Sequence, residues 1–443
     1  MNEDMSLRIA YLTAGAAGMF CGSCLHDNTL AAALCRLGVE VQLIPTYTPI
    51  RTDERDVSID RVFFGGVNVY LQQKFRLFRH LPPLLDRILD HPRFLRWVTS
   101  RGLSIDPKEL GALTLSMLRG HHGYQRKEVR RLARWMAKEV RPDLVVLTNL
   151  LIGGCIPELQ RVMNVPILVN LQGDDVFLDA LCEPYRAQVF RELGGVVARV
   201  DGFLVNSRFY GQHMSTYLGI PGERIVRVPL GIQVEDFRPL RLARRRHGRN
   251  RRLGYLARLA PEKGLHVLVD AFLALRRQPE YQDLELHVAG WLGEDHHSYL
   301  ERELGKLRAA GLEKAFHYAG AVDRAAKLDF LTGLDVFCVP ATYPDPKGLY
   351  MLEALAAGVP VVQPNHGIFP ELLEMTGGGF LSAPGDSRDL AARLGDLLRD
   401  EDRLAAMGVA GQSAVFHHFS SARMARDTLA VYQRFLPSVT SCS

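Results

Sequence analysis

Two carboxylates, Asp345 and Glu353, stand eight positions apart in the stretch "DPKGLYMLEALAAGVPVVQP", with Gly348 between them. A glycine at the mouth of a helix lets backbone come close to a ligand, because it has no Cβ. The helix expected to begin near Leu349 offers unpaired N–H groups and a positive dipole end, a seat for phosphate. Glu353, about one turn in, is too negative to hold a phosphate but suits a sugar hydroxyl. A nucleotide sugar has both parts, and its phosphates also require cations. The stretch "GYLARLAPEKGLHVLVDAF" supplies them: Arg258 at the end of an expected strand and Lys263 in the turn before the next helix. A guanidinium fork and a mobile ammonium complement a diphosphate. Taken alone, "RLAPEKG" fits a surface turn with an internal Lys–Glu pair equally well.

Other candidate chemistry is weaker. "CGSC" (Cys21 to Cys24) has the spacing of a redox or metal motif, but no second CxxC completes a four-ligand zinc site. It reads as small residues packed in a tight loop. No Asp-x-Asp metal signature falls at a suitable strand end; "GDD" (Gly173 to Asp175) is the nearest, with the wrong spacing.

These residues need a scaffold that brings strand ends together. "LRIAYLT" reads as a strand, followed by a Gly/Ala-rich loop, the helix "LHDNTLAAALCRLG" and a second strand, "VEVQLIP". Further short apolar runs ("DLVVLT", "PILVNL", "GFLVNS", "RIVRVP") alternate with helical patterns, which predicts a mostly parallel sheet. The segment 57–122 breaks the alternation and reads as a helical elaboration of the first domain. Seven arginines between Arg241 and Arg252 mark a boundary. They read as a solvated linker, with an anionic membrane contact as the sharper alternative. The pattern then begins again with "RLGYLARL", "LELHVAG", "AFHYAG", "DVFCVPA" and "PVVQP". The expected layout is a first domain over 1–237, a linker over 238–251, a second domain over 252–420 and a terminal helix and tail over 421–443. In doubly wound sheets ligands sit beyond the carboxyl ends of the strands, and the cleft between the halves is the expected site.

Bulk properties agree with a two- or three-domain globular chain: 443 residues, 47% hydrophobic, net charge +5. That charge permits anionic partners without pointing to nucleic acid. No apolar stretch reaches the roughly 18–20 residues that span a bilayer. The opening "MNEDMSLRIAYLT" carries acidic residues where an export signal carries basic ones. Seven scattered cysteines read as reduced thiols. The expected location is the cytoplasm, with the inner membrane face as the alternative for a peripheral protein.

On these motifs the sequence resembles the retaining glycosyltransferases of family four, which have the GT-B fold. The resemblance covers nearly the whole chain. Their strand ending in Gly-Arg-Leu and their Lys-Gly turn are similar to "ARLAPEKG". Their Glu–seven residues–Glu motif is similar to Asp345 through Glu353, and their Gly-Gly-x-x-Glu resembles "HGIFPELLE" with Glu371. The resemblance implies two doubly wound Rossmann-like domains facing across a cleft, with a C-terminal helix crossing back to the first. It implies that Arg258 and Lys263 neutralise a donor diphosphate. Gly348, Leu349 and Tyr350 offer backbone contacts, Glu353 holds ribose hydroxyls, Asp345 lies by the transferred sugar, and Gly22 lets the first domain approach phosphate. Three departures stand out: Asp345 in place of Glu, Lys347 in place of an aromatic, and Gln172 where the family has a His. Asp174 and Asp175, adjacent to Gln172, are acceptor-side candidates, with capping or ion pairing as the equal alternative.

The implied activity is metal-independent transfer of a sugar, with retention, from a UDP- or GDP-linked donor. The acceptor is the hydroxyl of a glycan, lipid or small molecule, and the departing phosphate helps to deprotonate it. No cofactor is called for. The alternatives are a non-catalytic nucleotide-sugar binding protein of the same fold, and a GT-B epimerase or phosphorylase.

Overall fold

The computed structural model describes residues 6–15, 21–64, 107–240 and 250–437, together with Val69 and Gln73. Most of the helical elaboration expected over 57–122, the arginines from 241 to 249 and the extreme tail lie outside the described residues. The chain divides into two compact units: Met1–Pro229 with Met424–Ser443, and Leu230–Arg423.

The first unit is built on a six-stranded parallel sheet in the order β2-β1-β3-β4-β5-β6. Its strands are β1 (Arg8–Thr13), β2 (Glu40–Pro45), β3 (Leu144–Leu147), β4 (Ile167–Asn170), β5 (Gly202–Val205) and β6 (Ile225–Arg227). A parallel sheet covered on both faces needs apolar side chains on both, which is why these strands read as unbroken apolar runs. Along β1 the alternation divides the core into two layers. Ala10 and Leu12 join the cluster around Val145, Val169 and Phe203, while Ile9 and Tyr11 join that of Leu30, Leu34 and Val146. The helix Ser421–Phe435 contributes Met424, Val431 and Tyr432 to the second layer.

The second unit repeats the plan, with six parallel strands in the order β12-β11-β10-β7-β8-β9. These are β7 (Arg252–Leu256), β8 (Glu285–Ala289), β9 (Phe316–Tyr318), β10 (Val336–Phe337), β11 (Val361–Pro364) and β12 (Gly379–Ser382). Residues Leu230–Leu240, upstream of the arginine run, belong to this unit. Phe237 is fully buried there, and Asp236 pairs with Arg324 at 2.7 Å.

In each sheet the strand order reverses direction once, between β1 and β3 and between β7 and β10. Adjacent strands there send their connections to opposite faces, so the loops leaving them part and open a crevice. No helix among the described residues is long and apolar enough to cross a membrane.

Candidate active site

In the second unit the chain leaves β7 through Arg258 and a turn, Pro261–Lys263, and enters the helix Leu265–Arg276 at Gly264. Gly264 has φ +74°, and a Cβ there would lie 1.9 Å from the Pro340 carbonyl oxygen, so only glycine fits. That close approach draws the β7 turn against the chain leaving β10, five residues before Asp345. The Lys263 Nζ lies 2.7 Å from Asp345 Oδ2 and 2.6 Å from the Tyr343 hydroxyl oxygen. It also sits over the rings of Tyr343 and Tyr350, 4.8 and 5.3 Å from their centroids.

Asp345 is buried and fully engaged. The Tyr343 and Tyr350 hydroxyls donate to its Oδ2, each at 3.1 Å, and the N–H groups of Lys347 and Gly348 donate to Oδ1 at 2.9 and 3.2 Å. Burial alone pushes its carboxyl up, but the Lys263 ammonium and these donors hold it well below the usual carboxylate range. Gly348 enters the helix Leu349–Ala356 at φ +63°, and a Cβ there would press on Ile368, Leu372 and Phe369 at 3.1–3.3 Å. Its glycine is therefore set by backbone conformation and packing, and its N–H already serves Asp345.

Glu353, one turn further along, is also buried. Lys327 donates to its Oε1, and Arg324 Nη1 lies 3.5 Å from the same oxygen. Both cations come from the helix Arg324–Thr332. Arg258 is more exposed and pairs with Glu262 four residues on. The internal pair of the turn is thus Arg–Glu, and Lys263 reaches across to Asp345 instead.

The first unit gathers its polar side chains at its own switch point. Asp27, on the helix Gly22–Arg36, is completely buried. It accepts from Tyr11 (2.8 Å), Thr13 (2.7 Å), Thr148 (2.6 Å) and Gln172 Nε2 (2.8 Å), with His26 Nδ1 at 3.3 Å. Burial raises the Asp27 pKa, but the hydrogen bonds from His26, Thr148 and Thr13 and the nearby His26 ring overcome this and lower it. A charged carboxylate fixes the Gln172 amide with nitrogen towards Asp27, because an oxygen at that distance would be repelled. Gln172 Oε1 is then buried with no hydrogen-bond partner among the described residues.

The two neighbouring acids behave differently. Asp174 accepts from the backbone N–H groups of Leu150 (2.7 Å) and Gln172 (3.1 Å), and burial pushes its pKa up to about 6. Asp175 accepts from the Tyr210 hydroxyl at 2.6 Å and lies 3.0 Å from His213 Nε2. Both acids brace the loop that carries Gln172. Gly22 is the first residue of its helix, so "CGSC" opens a helix where a tight loop was expected; Cys21 and Cys24 are not joined in a disulfide.

Sequence reasoning brought Lys263, Asp345, Gly348 and Tyr350 to one place and missed what surrounds them. Tyr343, Arg324 and Lys327 were not anticipated, nor were Asp27, Tyr11, Thr13, Thr148 and Asn170, which donates to the Tyr11 hydroxyl at 2.8 Å. One signal was present: "HDN" interrupts an apolar helix directly after the first strand, where a charged residue has to find partners.

Two doubly wound α/β units, each with polar groups at its switch point, define the GT-B class. Solved structures agree in fold. Sucrose-phosphate synthase from Thermosynechococcus elongatus matches with a TM-score of 0.69 at 18% identity, over 96% of this chain and 98% of that one. HepE from Anabaena in complex with UDP matches at 0.65 and 17%, over 97% and 100%. The family model for glycosyl transferases group 1 matches residues 240–414, and that for the glycosyl transferase 4-like domain matches 28–231. The GDP-mannose-dependent alpha-(1-6)-phosphatidylinositol monomannoside mannosyltransferase of Mycobacterium tuberculosis is 30% identical over 280 residues, 60% of this chain and 67% of its own. The MMP alpha-(1->4)-mannosyltransferase of Mycolicibacterium hassiacum is 28% identical over 255 residues, 57% of this chain and 59% of its own. The chain thus spans between about half and two thirds of the curated relatives it matches. It belongs to the family-four glycosyltransferases of the GT-B fold.

Two predictions follow from the buried charges. The unfolded chain releases an aspartate proton near pH 3.9, and folded Asp174 does so at about 6. The native state therefore holds more protons between these values, and the Asp174 contribution to stability is present below pH 4 and lost as pH rises through 6. In urea titrations, Asp174→Asn should lose less stability than the wild type between pH 4 and 7, by roughly 2–3 kcal/mol. Glu353→Ala removes the buried carboxylate that Lys327 and Arg324 share and should cost roughly 3–5 kcal/mol. Adding Lys327→Met should recover much of that loss in the same measurement.

Proposed function

We propose that this chain is a retaining glycosyltransferase. It moves a sugar from a UDP- or GDP-linked donor to the hydroxyl of a glycan, lipid or small-molecule acceptor. The observation that carries this reading is the meeting of Lys263 and Asp345 at the second switch point, at the mouth of the helix Leu349–Ala356. A cation, first-turn N–H groups and a helix dipole end in one crevice complement a diphosphate.

In this reading the second unit takes the donor. Arg258 and the third N–H of the Lys263 ammonium bind the diphosphate, with the N–H groups of Leu349 and Tyr350 beside them. The two cations of Glu353 both lie on Oε1, and its Oε2 receives the ribose hydroxyls. Asp345 holds Lys263 and the Gly348 backbone in place beside the transferred sugar. Developing charge on the leaving diphosphate is met by fixed positive groups, so transfer needs no divalent metal. In the first unit Gln172 does not exchange a proton near neutral pH, and the departing phosphate takes the acceptor proton on the same face of the sugar. The unpartnered Gln172 Oε1 is suited to receive a substrate hydroxyl.

Lys263→Ala would leave the buried Asp345 uncompensated, so half-exposed Arg258 is the cleaner probe. Arg258→Ala should weaken UDP or GDP and the full donor by about 10- to 150-fold, for a charge-assisted contact of roughly 1.5–3 kcal/mol. Uridine or guanosine should bind as before. Calorimetry on the three ligand types checks this, and equal losses for all of them would remove Arg258 from the phosphate site. Donor turnover with mixed cellular acceptors should persist in EDTA. Turnover that stops and returns with magnesium or manganese would contradict the metal-free mechanism, and no turnover under any condition would favour a non-catalytic binding protein.

A further inference from the structure

At the other end of the second sheet, three metal-ligating side chains share one face. Glu285 opens β8 and His287 follows two positions later, so both point the same way. On the neighbouring edge strand His317 is the register partner of His287, which puts its side chain on that face as well. The imidazole rings stack, with centroids 4.5 Å apart. Glu285 Oε2 lies 2.9 Å from His287 Nε2 and 3.8 Å from His317 Nε2, and one ligand atom from each of the three falls within 4.8 Å of the others.

We propose that Glu285, His287 and His317 form a binding site for a zinc-like transition-metal ion. Tetrahedral zinc with bonds near 2.1 Å sets its ligand atoms about 3.4 Å apart, a value that the 2.9 and 3.8 Å separations bracket. Two imidazoles with one carboxylate select zinc, cobalt or nickel over magnesium or calcium, which prefer oxygen. Asn250 Nδ2 donates to Glu285 Oε1 at 2.8 Å, so the carboxylate is oriented with Oε2 towards the two rings. Such outer partners fix ligand geometry. Arg252 Nε, 3.7 Å from Oε2, is the competing cation that balances Glu285 when no metal is bound. His317 is half-exposed, which gives an ion a path from solvent.

The site is separate from the proposed donor site. Glu285 and His287 are the first and middle residues of β8, whereas Arg258, Lys263 and Asp345 follow the carboxyl ends of β7 and β10. A metal here joins edge strand β9 to β8 through side chains as well as the ladder. Its role is to fasten or regulate the unit, independently of the transfer chemistry.

The test uses the full chain without an affinity tag, stripped with EDTA and dialysed at pH 7.5. Calorimetry with zinc chloride should give a saturable equivalent, and cobalt chloride should give the visible d–d band of a tetrahedral ion. His317→Ala and Glu285→Gln should each abolish the cobalt band and weaken zinc by at least about 10- to 100-fold. His317 lies at an exposed edge, so that variant keeps its far-UV circular dichroism. Replacing the surface pair His121 and His122 by Ala should leave the band and the affinity unchanged. A cobalt band that survives His317→Ala and Glu285→Gln, or no saturable zinc binding to the wild type, would overturn the proposal. Neither outcome bears on donor turnover, which the metal-free protein retains.

Discussion

The ion pair between Lys263 and Asp345 is the constraint around which the second unit is arranged. Asp345 is buried and Lys263 is partly so, and the carboxylate cannot be taken out of water without the ammonium beside it. The pair ties the turn after β7 to the loop after β10, the two connections that part at the switch point. Once Asp345 is held, its Oδ1 fixes the N–H groups of Lys347 and Gly348, which sets where the next helix begins. Gly264 against Pro340, and Gly367 against the Asp345 backbone, are the close approaches that let the loops meet. The mouth of the helix Leu349–Ala356 is therefore built from an electrostatic contact first and a helix second.

The first unit reaches a comparable result without a cation of the lysine kind. Asp27 sits at the corresponding switch point, between the ends of β1 and β3, and is satisfied by four neutral donors carried by three strands. Tyr11 and Thr13 come from β1, Thr148 follows β3 and Gln172 follows β4. A carboxylate that gathers hydroxyls in this way ties strand ends together and stays charged. It also determines which end of the Gln172 amide is left over. Gln172 is thus built into a network, and a single change there would act on Asp27 too.

Much of the fold was legible because buried parallel strands announce themselves as apolar runs: "RIAYLT", "LVVL", "ILVN" and "ELHVA" are all strands in the structure. Strand β12, "GFLS", escaped notice because its apolar run is only Phe380 and Leu381, behind Gly377, Gly378 and Gly379. At the site, Arg258, Lys263, Asp345, Gly348 and Glu353 carried a local signature of turn, glycine and helix start. Their partners did not. Lys327 and Arg324 lie on a helix whose pattern suggests an ordinary amphipathic surface, and only the fold turns them towards Glu353. Gly348 was singled out for room near a ligand, whereas its left-handed backbone and the packing of Ile368, Leu372 and Phe369 already require it. Register and crossover geometry are long-range properties, and local spacing carries little of them.

The buried acids show how one fold sorts carboxylates by their neighbours. Asp345 has an ammonium at 2.7 Å and is held far down. Asp27 has hydroxyl, amide and imidazole donors in number and is lowered as well. Asp174 receives backbone N–H groups and sits close to Asp175, so desolvation wins and its pKa rises to about 6. A cation or a full set of donors is what keeps a buried carboxylate ionised, and two backbone bonds are too few. This divides the labour within the first unit. Asp27 is a permanent anion that orients Gln172, while Asp174, bonded to the Gln172 backbone at 3.1 Å, changes charge close to neutrality. Protonation of Asp174 weakens it as an acceptor for that N–H, so proton uptake near pH 6 is felt first by the loop that carries Gln172.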